Sequence, residues 1–82
     1  MITQKIRIKT RRIGEILSII DVSISKQIRS VDDIRDLPKE TLNIIIELLS
    51  NELCRKGLNP NDEPNKDGLE IENLIDFCLE DK

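Results

Sequence analysis

The sequence predicts an all-α fold: one small helical domain over residues 1–82, with helices at about 13–29, 38–56 and 67–79 and the first reaching back to residue 4 if the N-terminal segment is helical. Apolar residues recur at helical spacing along each of the three segments. Residues that start or stop helices stand at the ends of those stripes. The length leaves room for a single core.

The middle helix is the best delimited. Pro38 suits a first helical position, where its missing N–H would be unpaired in any case. Glu40 follows in the first turn, where a carboxylate complements the helix dipole. At the far end Arg55 and Lys56 precede Gly57, Leu58 and Pro60, and cations, glycine, an apolar residue and proline in that order end a helix. Leu42, Ile45, Ile46, Leu49 and Leu53 form its inward stripe.

In the first helix, Ile13, Ile16, Leu17, Ile20, Ile24, Ile28 and Val31 fall within about 120° at 100° per residue, which predicts one uninterrupted rod. Ahead of it, Lys5-Ile6-Arg7-Ile8-Lys9 alternates with period two, the pattern of a β-strand over residues 4–10 with one basic face. Ile2 and Ile6 also continue the helical stripe in phase, and Thr3 can cap an earlier start. A lone strand would need its partner from another copy, so the helical extension is the favoured reading. In the third helix, Asp67 is expected to cap and Glu70 to reach back, as in a capping box, with Ile71, Leu74, Ile75 and Cys78 on one face. Ser30 followed by Asp33 suits a short helical turn at 31–36. Asn and Pro mark 58–66 as a loop.

Composition narrows the function classes. Fifteen Ile, ten Leu and two Val supply an aliphatic core, with one Phe and no Tyr or Trp. Base stacking would therefore rest on Phe77 or an arginine. There is no His, so a Cys/His zinc site and the usual Ser–His and Cys–His nucleophile pairs cannot be built from this chain. Cys54 and Cys78 read as two buried apolar thiols. Glu63, Asn65, Asp67 and Gly68 imitate the start of a calcium loop, but Leu74 stands where the closing bidentate Glu is required. Carboxylate neighbours such as Asp32 with Asp33 are expected in so charged a chain, and Gly14, Gly57 and Gly68 are isolated. No catalytic residue, cofactor, metal or small-molecule substrate is expected. No apolar run approaches a membrane span, and a cytoplasmic setting is expected.

Two features remain as candidate sites. Ile44 and Leu48 lie away from the inward stripe of the middle helix, and Ile19 and Val22 lie behind that of the first. A helix apolar on two sides is either central or shared between chains, which points to a protein partner, with a two-fold homodimer as the commonest form. Charge is also split along the chain. Residues 1–12 hold Lys5, Arg7, Lys9, Arg11 and Arg12 without an acid, while residues 61–82 hold eight acids against two lysines. Glu70, Glu72 and Asp76 thus offer a second, acidic protein-binding surface. The basic arm offers an alternative function, a dimeric DNA-binding regulator whose paired strands read the major groove, or else it neutralises the acidic third. The expectation is a non-enzymatic interaction module: a small regulator, adaptor or inhibitor.

Overall fold

A computed structural model describes residues 3–57, 59–61 and 63–80. Ile2, expected in the first apolar stripe, and Leu58, expected in the stop of the middle helix, lie outside them. Four α-helices and one 3-10 turn make up the regular structure, and no strand occurs among the described residues. The strand alternative for residues 4–10 is overturned, because Gln4–Leu17 is a helix (α1) opened by Thr3, whose Oγ1 accepts from the Ile6 N–H at 3.2 Å. Period-two alternation survives in a helix only as a change of face. Ile6 packs against the core, and Ile8, about 200° further round, is exposed.

The single rod expected over 13–29 is two helices. Helix α1 stops at Leu17, and α2 runs Val22–Arg29. Between them the Leu17 carbonyl accepts from the N–H groups of Ile20 and Asp21 at 3.0 and 2.8 Å. The Ser18 hydroxyl donates to the Glu15 carbonyl. Asp21 then caps α2, accepting from the Ile24 N–H at 3.1 Å, as an aspartate at that position is suited to do. The apolar stripe concealed this break because Ile20 and Ile24 keep helical phase across it.

Helix α2 folds back along α1 at a tight crossing. The Ser25 hydroxyl donates to the Gly14 carbonyl at 3.0 Å, and a Cβ at Gly14 would stand 3.3 Å from the Ile28 side chain. The connector that follows is tied down from both sides. The Ile34 N–H donates to Thr10 Oγ1 at 3.1 Å in the interior. Asp33, 2% exposed, caps the 3-10 turn Ile34–Asp36 and accepts from both the backbone and the guanidinium of Arg35. Arg35 in turn lies 4.9 Å over the Phe77 ring.

Helix α3 spans Lys39–Lys56 with Pro38 at its N-cap, one residue earlier than its expected role. Gly57 ends α3, though not through a left-handed backbone: its φ is −89°. Space is the reason for glycine here. A Cβ on Gly57 would sit 2.8 Å from Gly68 Cα, and one on Gly68 would collide with the Gly57 carbonyl. Helix α4 spans Lys66–Leu79 and is capped by Asn65 in place of the expected Asp67. Asn65 wins because it makes three bonds at once: its Oδ1 accepts from Gly68 N–H, its Nδ2 donates to the Lys56 carbonyl, and its own N–H donates to the Gly57 carbonyl. Glu70, freed from the capping box, turns to Arg12.

The core collects Ile13, Leu17, Ile24, Ile28 and Ile34 from the first half and Ile45, Leu49, Ile71, Leu74, Phe77 and Cys78 from the second. The inward stripe expected on α3 holds, with Ile45 and Leu49 buried and Leu42, Ile46 and Leu53 half-buried against them.

Two substitutions test this packing. Gly to Ala inside a helix ordinarily gains about 1 kcal/mol, yet Gly68→Ala will lose about 1–3 kcal/mol because the new methyl meets backbone that cannot yield. Thr10→Val will also cost about 1–3 kcal/mol by leaving the buried Ile34 N–H without an acceptor. Urea denaturation midpoints measure both.

Candidate functional site

The break between α1 and α2 puts apolar side chains on the surface. Ile19, at the apex of the turn, is 85% exposed, and Ile20, expected in the core, is also exposed. Both line a shallow groove with Leu48, Asn51, Glu52 and Arg55 of α3. Ile44 stands one turn before Leu48 and is 45% exposed, so it extends this apolar edge, since residues four apart share a helix face. Of the four apolar residues singled out from sequence, Ile19 and Leu48 are therefore brought together and Ile44 adjoins them. Val22 is exposed but does not line the groove. Ile20 was missed; the signal was Asp21 as a cap directly after it.

The groove also holds a buried carboxylate. Glu52 is buried on α3, and its carboxylate accepts from Arg55 Nε at 2.8 Å and lies 3.4 Å from Lys56 Nζ. Leu48 is half-buried and packs against the core. It therefore supports the groove from beneath, while Ile19 and Ile44 present the freer surface.

The acidic face is divided. Glu70 is held by Arg12, whose Nε and Nη2 donate to it at 3.0–3.1 Å. That contact, with the Arg12–Glu15 bond, raises the Arg12 guanidinium above its ordinary pKa. Glu72 and Asp76 lie elsewhere on α4, half-buried and exposed respectively, with no ion-pair partner among the described residues.

Folding as a helix disperses the five basic residues of the N-terminal arm. Arg12 and Lys9 turn toward α4, the latter 5.3 Å over the Phe77 ring. Arg7 and Arg11 turn the other way, toward α2, and share a cleft with Arg29, while Lys5 is exposed. The two-stranded ribbon needed to place Lys5, Arg7 and Lys9 in a DNA groove is thus overturned with the strand. Among the described residues, the basic arm meets the acidic third at one ion pair, Arg12 with Glu70.

Cys78 is buried, as expected; Cys54 is exposed, against expectation. Both thiols are free. No group of three or more metal-ligating side chains occurs among the described residues. Within the calcium-like loop, Asn65 is committed to its capping bonds. No helix among the described residues is long and apolar enough to cross a membrane. Comparison with protein-family models, curated proteins and solved structures finds no match to this chain.

Burial pushes the Cys78 thiol up from 9.0 to about 11. A thiol whose pKa is raised on folding stabilises the fold while protonated, so this contribution is fully present below about pH 9 and lost as pH rises toward 11. A disulfide exchange reagent at pH 8 will accordingly label one thiol per native chain, at Cys54, and two only after unfolding. Peptide mapping of the labelled protein checks the assignment.

Proposed function

We propose that this chain is a non-enzymatic protein–protein interaction module, a small regulator, adaptor or inhibitor that works by occupying another protein surface. The carrying observation is the apolar edge of Ile19, Ile20, Ile44 and Leu48, contributed by two separate elements and set beside a groove. Exposed apolar side chains gathered at one edge mark an interaction surface, which singly scattered ones do not. The preferred partner is a second copy related by a two-fold axis, which would place the same edge on both sides of the interface. Glu72 and Asp76 on α4, without an ion-pair partner among the described residues, offer the second, acidic contact surface. A cytoplasmic setting suits a chain whose two cysteines stand apart as free thiols.

Because Leu48 also supports the core, the informative changes are at the more exposed positions. Ile19→Glu and Ile44→Glu will each weaken self-association by about tenfold or more, as loss of a central apolar contact does, while leaving the helical circular-dichroism signal and thermal midpoint near the parent values. Sedimentation equilibrium across a concentration series reads the association. A parent protein that stays monomeric throughout, with both variants indistinguishable from it, contradicts the homodimer.

A further inference from the structure

A separate cleft of about 330 Å³ lies between α1 and the C-terminal half of α2, with the guanidinium-bearing side chains Arg7, Arg11 and Arg29 in its wall. Arg29 ends α2, where a cation complements the helix dipole, so its place in the sequence has a structural reason. That it lines one cleft with Arg7 and Arg11 does not follow from that. Neither Arg11 nor Arg29 has an ion-pair partner among the described residues, and Arg7 meets Asp32 only at 3.9 Å on the exposed surface. The other carboxylate in the wall, Glu15, is turned to Arg12 at 3.3 Å. The cleft is thus lined by three arginines against two carboxylates, Asp32 loosely held and Glu15 drawn to Arg12.

We propose that this cleft is a binding site for a small phosphate-bearing molecule. Arginine presents a planar fork of donors that matches phosphate oxygens in pairs. A phosphate monoester carries close to two negative charges at neutral pH, which suits a cleft lined by three cations better than the single charge of a carboxylate. The volume lies at the low end of the range of ligand pockets, about 300–1,000 Å³, enough for a phosphate and a small attached group. A duplex DNA partner is less suited, because Arg12 and Lys9 are turned away to α4.

The test is a set of NMR titrations of the full chain at a constant ionic strength of about 150 mM, where long-range attraction between exposed charges is largely screened. The probes are inorganic phosphate, adenosine monophosphate and a short DNA duplex. Saturable shifts at the amides of Arg11 and Arg29 are expected with phosphate or the nucleotide. Equal affinity for the two identifies the bare oxyanion as the ligand, and tighter binding of the nucleotide identifies a phosphorylated metabolite. Arg11→Gln and Arg29→Gln will each weaken binding about tenfold, the scale of one charge-assisted pair, whereas Lys5→Gln will leave it unchanged. Non-saturating drift that chloride reproduces, affinity unaltered in both arginine variants, or binding of the duplex alone would overturn the proposal.

Discussion

The helix break at Ser18–Asp21 is the constraint on which the rest of the molecule depends. Leu17 keeps the helical bond from Asp21 N–H and also accepts from Ile20 N–H, tightening the last turn, and Asp21 restarts the chain in a new direction. Only because α2 reverses can Ser25 and Ile28 reach Gly14, and only then do Ile34 and Asp32 come within reach of Thr10 and Arg7. The same reversal carries Ile19 and Ile20 to the surface beside α3. A continuous rod would have left Ile24 and Ile28 far from Ile13 and given the molecule neither its core nor its apolar edge.

The second half of the chain meets the same problem with different residues. Helices α3 and α4 close at Gly57 and Gly68, where two backbones approach more tightly than any side chain allows, and Asn65 bridges the end of one helix to the start of the next. The two hairpins are then joined through polar residues: Asp33 holds Arg35, Arg35 covers Phe77, and Arg12 reaches Glu70. Groups committed to these bonds are unavailable for recognition. Three surfaces among the described residues stay clear of these bonds: the apolar edge at the turn, the arginine cleft between α1 and α2, and the acids Glu72 and Asp76 on α4.

Local signals were readable in the sequence and long-range ones were not. The extent of α3, its inward stripe, the Thr3 cap and the buried face of α4 all follow from residues within a few positions of one another. The break at 18–21 was hidden because its isoleucines keep the helical period, and periodicity does not record chain direction. Asp67 and Asn65 are both competent caps, and the choice was made by the Lys56 and Gly57 carbonyls, supplied by another helix. Gly57 and Gly68 look unremarkable eleven positions apart until the helices cross. For the candidate surface, Ile19, Ile44 and Leu48 were recognisable as surplus apolar residues. That Ile20 joins them and Val22 does not line the same groove is a consequence of the turn.

In the proposed homodimer, the turn at Ser18–Asp21 delivers Ile19 to a contact between chains. The most direct test is an isotope-filtered NOE experiment on a mixture of methyl-labelled and unlabelled protein, observed at the Ile19 δ1 methyl. Cross-chain NOEs from that methyl to protons of Ile44 or Leu48 are the expected result. An Ile19 methyl with NOEs only to its own chain, in a sample concentrated enough for the experiment, would contradict it.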